Sequence, residues 1–346
     1  MTITGPIVTP LTTLLGIKHP IILGGMAGVS SGLLAASVSN TGGLGVVGGV
    51  GCTPNHLQDL LSQMKRHLSH PSIPFGISLS LNHEIHAGPE KVDVNDTDLI
   101  DIVVQARSKL MVSSLGHPSR EIVERLHGAG ILVMSLVGHP KHAISALEAG
   151  VDIICTQGYE SRGHTCDIAG QILLQAITDI VRERSKLLPN RSPIHVVAGG
   201  GIATGRALAS ALTQGAGAVM ISTRFAASVE AEGGDAMKEA ILSCSLTDTE
   251  RTSIFTGRML RVRSSEYIRS WHSRANEVEE LRKQGIVPAV RDFKEGKQVE
   301  IPFLMGQSAG LIKEIKTSEQ IVHDLIKETV ESLSLVGTYY RERSRL

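Results

Sequence analysis

A barrel of eight parallel β-strands, each followed by an α-helix, is the fold class this sequence predicts: α/β, a (β/α)8 barrel with a helical insertion after strand 8. Three observations predict it. Short apolar, β-branched runs alternate with helix-forming segments along most of the chain, the pattern of strands buried on both faces by crossover helices. Late in the chain one such run, Val196-Val197-Ala198-Gly199-Gly200-Gly201, has an echo in Ala218-Val219-Met220-Ile221-Ser222-Thr223-Arg224, and an Ala/Leu-rich stretch from Arg206 to Gly215 joins them. The loops after strands 7 and 8 of such a barrel commonly bind a phosphate group. Finally, 346 residues with 36 glycines and 3% aromatics fit one aliphatic barrel of roughly 250 residues plus an added element better than two equal domains.

The elements follow in order. After a loose start around Pro6 and Pro10, His19-Pro20-Ile21-Ile22-Leu23-Gly24-Gly25-Met26 reads as strand 1 running into a glycine loop. Ser30 to Asn40 reads as a helix with a serine cap and Gly42-Gly43 past its end. Gly45-Val46-Val47-Gly48 is strand 2, and the Thr53-Pro54 pair opens a helix that runs to His67. Pro74 to Leu81 is strand 3, and the polar stretch from Asn82 to Asn95 reads as a long loop over the strand ends. Leu110 to Ser114 is strand 4, with a helix from Ser119 to His127; Ile131 to Leu136 is strand 5, with a helix from Lys141 to Glu148. Asp152 to Cys155 is strand 6, with a helix from Gln171 to Leu187, and the two glycine-linked runs are strands 7 and 8. Eight such units leave few arrangements other than a barrel. A doubly wound open sheet is the alternative, but no Gly-x-Gly-x-x-Gly fingerprint follows strand 1.

The alternation stops after Phe225. From Glu230 to Pro302 the residues are charged and helix-prone, which predicts a helical lid, residues 230–302, inserted into a barrel of residues 1–229 and 303–346. The chain returns at Met305 to Ile312, and an amphipathic helix from Ser318 to Leu333 supplies the eighth barrel helix.

Composition narrows the function. With 34 basic against 34 acidic residues there is no electrostatic case for a nucleic acid or an acidic membrane as partner. Cys52, Cys155, Cys166 and Cys244 are widely spaced, with neither zinc-type pairs nor a disulfide framework, so no metal is expected and a reducing compartment is. No basic-then-apolar leader and no uncharged apolar run of about 18 residues is present, which predicts a protein neither secreted nor membrane-spanning.

The sharpest chemical candidate is Gln157-Gly158-Tyr159-Glu160-Ser161-Arg162-Gly163-His164-Thr165, directly after strand 6. A histidine on a glycine-flanked loop at the carboxyl end of a barrel strand sits where catalytic groups sit, and its near-neutral pKa suits abstraction of a proton from a weak carbon acid. The alternative is a histidine that only hydrogen-bonds within its loop. Glu160 and Arg162 read as an ion pair bracing the loop. Cys166 has no base supplied to it and reads as an unreactive thiol. Gly24-Gly25-Met26-Ala27 would let a flat ring lie on bare backbone, or is simply a tight turn. Ser78 and Ser80 alternate along strand 3 and share a side, where they either hydrogen-bond a ring edge or are ordinary barrel residues.

Together these stretches resemble the nitronate monooxygenase family, formerly the 2-nitropropane dioxygenases, FMN-dependent TIM barrels. The matching residues are Pro20 to Met26, Ser39-Asn40-Thr41-Gly42-Gly43-Leu44-Gly45, Gln157-Gly158 through Gly163-His164, Ala198-Gly199-Gly200-Gly201-Ile202, Ser222-Thr223-Arg224-Phe225, Phe255-Thr256-Gly257-Arg258 and Gly306-Gln307-Ser308. The resemblance implies an FMN whose phosphate is held by Gly199, Gly200, Gly201, Ser222 and Thr223, with Gly24, Gly25 and Met26 facing the flavin ring and Ser80 and Gly163 nearby. It implies His164 as the base for a neutral nitroalkane, or as the group that holds an anionic nitronate, with O2 as oxidant and without a nicotinamide cofactor. Gln307 and Ser308 would lie near the substrate. The chain departs from the family's usual Ala-Pro-Met at Gly24-Gly25-Met26, from its Asn-Leu-Thr at Ser78-Leu79-Ser80, and from its Glu-Ala-Gly-Gly-His at Glu160 to His164. Leu136 stands where some members carry a lysine. Arg162 brings a positive charge either to the pocket mouth or to solvent. The same resemblance extends to relatives that look like NAD(P)H-dependent quinone or enoyl-thioester reductases, the alternative activity; a barrel that binds flavin without turnover is a third reading.

Two further expectations remain. Ser344-Arg345-Leu346 is a variant of the Ser-Lys-Leu peroxisomal address, which predicts a peroxisome in a eukaryotic source and the cytoplasm otherwise. Ser264 to Arg282 offers either a face for a second copy, as a homodimer, or a solvated lid.

Overall fold

The computed structural model describes residues 5–81, 96–187 and 193–339. In chain order these form α1 (Pro10–Leu15), β1 (Ile21–Leu23), α2 (Gly32–Asn40), β2 (Gly45–Gly48), α3 (Pro54–His67), β3 (Phe75–Leu79), α4 (Asp96–Ala106), β4 (Leu110–Ser113), α5 (Arg120–Gly128), β5 (Leu132–Val137), α6 (Pro140–Ala149) and β6 (Ile153–Gln157). There follow β7 (Gly163–His164), α7 (Gly170–Leu187), β8 (His195–Gly199), α8 (Gly205–Thr213), β9 (Ala218–Ile221), α9 (Thr223–Ala226), α10 (Gly234–Leu242), β10 (Thr249–Thr252) and β11 (Leu260–Arg263). The last elements are α11 (Glu266–His272), α12 (Ala275–Lys283), α13 (Pro288–Lys294), a 3-10 turn (Gln307–Leu311) and α14 (Ser318–Tyr339).

Eight strands pair in parallel in the order β1-β9-β8-β6-β5-β4-β3-β2. A parallel bridge between Ile22 and Leu44 joins the two ends, so the sheet closes as a (β/α)8 barrel. All residues of β1, β2, β3, β4 and β9 are buried, as expected of strands covered on both faces. One apolar layer fills the barrel interior, with Ile22, Val46, Leu110, Val112, Met134, Ile153, Val197 and Met220. A larger one lies between sheet and helices. α14 packs against α8 and α2, the eighth-helix position that the sequence assigns it.

The structure corrects the reading at several elements. The start is not loose: Pro10 is the first residue of α1, Thr9 and Thr12 cap it reciprocally, and Leu11 and Leu15 join the barrel-interior layer. α4 is a helix the sequence reading lacks; it buries Leu99, Ile100, Ile102 and Val103. The cap of α2 is Ser31; Ser30 instead donates to the Gly24 carbonyl (2.8 Å) and accepts from Met26 N–H (3.2 Å), bracing the glycine loop. The insertion is not purely helical. β10 and β11 form an antiparallel hairpin whose second strand pairs with β7, and Ile254, Leu260, Val262, Ile268, Trp271 and Leu281 give this segment a core of its own. Strands so short, in a charged context, leave no alternation to read. The expected loop from Asn82 to Asn95 and the terminal Ser344-Arg345-Leu346 lie outside the described residues. Among the described residues no helix is long and apolar enough to cross a membrane.

Candidate active site

The carboxyl ends of the barrel strands open into a cavity of about 560 Å³, within the size range of small-molecule and cofactor sites. Its wall includes Gly24, Gly25, Met26, Gly163, His164, Gly199, Gly200, Gly201, Ser222, Thr223 and Ser308. Residues far apart in sequence meet here because parallel strands deliver all their exit loops to one end. Two sequence candidates stay outside it. Ser80 lies beyond the end of β3, buried, with no hydrogen-bond partner for its hydroxyl among the described residues; Ser78 lines the cavity in its place and shares a 2.6 Å hydrogen bond with Ser114. Gln307 does not line it either, and uses its N–H to donate to the Glu160 carbonyl (3.0 Å).

Glycine is required where the cavity wall is bare backbone. A side chain at Gly25 would collide with Cβ of the buried Ser78. At Gly200, with φ of 94°, it would collide with Ser161, and Gly201 has φ of 72°. The N–H groups of Gly200 and Gly201 donate to no backbone carbonyl among the described residues. Ser222 precedes α9 but makes no side-chain capping bond, and Thr223 holds the neighbouring loop by accepting from Gly306 N–H (3.1 Å). The result is a concave wall of amides and hydroxyls.

His164 belongs to β7, and β11 holds it: Leu260 pairs with His164 and Arg261 with Gly163. Tyr159, at the other end of the loop, lies against the guanidinium groups of both Arg251 and Arg261, at 4.8 and 4.7 Å from its ring centre. The His164 Nε2 lies 3.2 Å from Thr256 Oγ1. That hydroxyl gives its one proton to the Arg258 carbonyl (3.1 Å), so its oxygen accepts from His164 and Nε2 carries the ring proton. Nδ1 is then the basic nitrogen. Burial, and then the positive charge of Arg258, hold the His164 pKa below its ordinary value, keeping the ring neutral.

Glu160 and Arg162 do not form the expected ion pair. Glu160 accepts from Gly170 N–H (3.0 Å), beneath the glycine run, while the Arg162 Nε donates to the Leu304 carbonyl (2.8 Å) and its side chain lines the cavity. Gln157 completes the loop by donating Nε2 to the Arg162 carbonyl (3.1 Å). The Cys166 thiol is pushed up by burial, as fits an unreactive group. Sequence reasoning assigns no role to Thr256, although it falls in a stretch matched to the family, and misses Pro302, at the far end of the insertion, and Leu304 just past it, which line the cavity. Only the closing of the insertion over the barrel brings those two within reach, so no local signal marks them.

The glycine cradle thus lies directly beside the histidine loop at one end of the barrel, on neighbouring strands. The sequence matches the family model described as nitronate monooxygenase over residues 8–328. The chain belongs to the nitronate monooxygenase family. Within reach of it, a Rhodococcus jostii 5-hydroxy-7a-methyl-1-oxo-octahydro-1H-indene-4-carboxyl-CoA dehydrogenase is 30% identical over 290 residues, 84% of this chain and 73% of its own. A probable nitronate monooxygenase of Staphylococcus haemolyticus is 30% identical over 290 residues, 75% of this chain and 78% of its own. Among solved structures, FabK from Thermotoga maritima superposes with a TM-score of 0.80 at 32% identity, covering 96% of this chain and all of that one. These relatives are bacterial and lend the peroxisomal address no support. Membership makes the chain an enzyme of an oxidoreductase and monooxygenase group that acts on small molecules.

Proposed function

We propose that this member of the family is an FMN-dependent enzyme that oxidises alkyl nitronates and nitroalkanes with O2 to carbonyl compounds and nitrite. The observation that carries the reading is His164, tied through Nε2 to Thr256 at the wall of a cavity with no Asp or Glu among the described residues that line it. The cavity suits the cofactor: the amides of Gly200 and Gly201, which donate to no backbone carbonyl among the described residues, suit a phosphate together with Ser222 and Thr223, and Gly24, Gly25 and Met26 line the wall where a flat ring would lie. FMN, when bound, supplies the two-electron acceptor that O2 regenerates. His164 takes the α-proton of a neutral nitroalkane at its unprotonated nitrogen, or holds a nitronate already formed. Phe255 and Pro302 of the insertion, with Leu304 just past it, line the cavity and would keep water from the reacting carbon. In this reading the lid of residues 230–302 and the barrel divide the work of coverage and binding.

A second reading is an NAD(P)H-dependent quinone or enoyl-thioester reductase, favoured by the likeness to a carboxyl-CoA dehydrogenase. Anaerobic mixing of the purified yellow protein with a nitronate in one cuvette and NADPH in another separates the two. Loss of the yellow absorbance with nitronate alone is the expected result. Loss with NADPH alone moves the assignment to a reductase, and a colourless protein that takes up no FMN overturns both.

A further inference from the structure

Among the described residues lining the cavity one full charge appears, and it is positive: the guanidinium of Arg162. No carboxylate faces it there. Its Nε is committed to the Leu304 carbonyl at 2.8 Å, so the side chain is fixed from the insertion's side while its terminal nitrogens make no hydrogen bond to the described residues. Gly163, with φ of 71°, turns the chain between Arg162 and His164, and both line the same cavity. Burial lowers the guanidinium to about 10, which leaves it charged at neutral pH. A half-buried cation without a counter-charge is unfavourable until a ligand supplies one.

We propose that Arg162 anchors an anionic oxygen group, such as a carboxylate or sulfonate, on the non-reacting end of the substrate, and so selects substrates with a charged tail. This deepens the oxidoreductase reading above and rests on it for the word substrate. The phosphate proposed for Gly200, Gly201, Ser222 and Thr223 is a separate group: Ser161, not Arg162, abuts Gly200, whereas the Arg162 guanidinium is held to the Leu304 carbonyl. A planar guanidinium whose terminal nitrogen pair remains for a ligand suits a carboxylate or sulfonate better than a point charge does.

The test compares the purified full chain with its Arg162→Lys and Arg162→Gln variants. Butane-1-sulfonate and butan-1-ol, matched in length, are titrated into each by calorimetry. We expect the sulfonate to bind the parent chain more tightly than the alcohol, Arg162→Gln to lose roughly 10- to 100-fold in sulfonate affinity, and Arg162→Lys to lose less. The ratio of kcat/KM for a pentane nitronate with and without an ω-carboxylate falls by a similar factor in Arg162→Gln. Equal sulfonate affinity in the three proteins overturns the proposal. So does a loss in Arg162→Gln of affinity for FMN relative to riboflavin, which assigns the guanidinium to the cofactor's phosphate. The calorimetric arm needs no turnover, so it decides the subsite even where nitronate oxidation fails. Should Arg162→Gln not fold, the Arg162→Lys comparison carries the same decision.

Discussion

At the level of single residues, the hydroxyl of Thr256 has one proton to give, and it goes to the Arg258 carbonyl. The oxygen is thereby left to accept from His164 Nε2, and one small side chain sets the tautomer of the candidate base. Replacing Thr256 with Val keeps the shape and removes the acceptor. Nitrogen-15 spectra of the histidines should then lose the predominance of the Nε2–H form at His164, and kcat/KM for a neutral nitroalkane should fall roughly tenfold, with Thr256→Ser restoring both. Unchanged spectra and rate in the Val variant would remove Thr256 from the account. The pH dependence follows from the direction of the shift. Burial and Arg258 lower the His164 pKa, so the acid limb of the profile should have its midpoint below the ordinary 6.5. Activity is retained through neutrality because the base form predominates there.

At the level of elements, the histidine loop owes its position to the insertion. β7 is two residues long and pairs only with β11, and the Arg261 Nε donates to the Tyr159 carbonyl (3.1 Å). The hairpin in turn rests on the small core around Trp271, which is fully buried. Trp271 donates Nε1 to Asp292 (3.1 Å), Tyr267 donates to the same oxygen (3.0 Å), and Arg274 lies 3.8 Å over the indole. Trp271→Ala should therefore cost the insertion roughly 3–5 kcal/mol. Limited proteolysis should find new cleavage between residues 264 and 297 while the circular dichroism of the barrel persists. If the barrel unfolds together with the insertion and no such intermediate cleavage is seen, the two are one cooperative unit.

At the level of the whole molecule, closing eight strands into a barrel buries groups that an open sheet would leave wet. His19, just before β1, is one: it is 3% exposed, and neither ring nitrogen has a hydrogen-bond partner among the described residues. Burial first, then Lys18 and His323, lower its pKa from 6.5 to about 4. The folded value lies below the unfolded one, so the unfolded chain gains the proton first as the pH falls. The neutral ring's contribution is complete above about 6.5, is lost between 6.5 and 4, and is absent below. The full loss is on the order of 3 kcal/mol. Urea denaturation across this window should show stability falling with acid, and His19→Gln should flatten that slope. A slope unaltered by the substitution would mean that His19 does not titrate in the folded protein as this burial requires.

What the sequence determined by itself was whatever repeats or is local. β-branched runs between Ala/Leu-rich segments specify the barrel because a parallel strand must be covered on both faces. Ser119 before α5 and Thr53-Pro54 before α3 mark helix starts, since their hydrogen bonds reach only the next turn. The glycines at 24–25 and 199–201 were legible as bare backbone because no other residue is so permissive there. The resemblance to the nitronate monooxygenases added the order in which these pieces occur. What only the tertiary structure decided lies between pieces distant in the chain. The hairpin at β10 and β11 finds its third strand nearly a hundred residues earlier, a pairing no window of sequence contains. Ser78 lines the cavity and Ser80 does not, because β3 stops at Leu79 and the chain then leaves the strand's alternation. Arg162 turns from the neighbouring Glu160 to a carbonyl at Leu304, because Glu160 is already spent on Gly170 N–H and the insertion's return brings Leu304 within 2.8 Å. Side-chain direction at such a position is set by what the fold places opposite it, and that is a property of the closed barrel with the chain's return at Leu304.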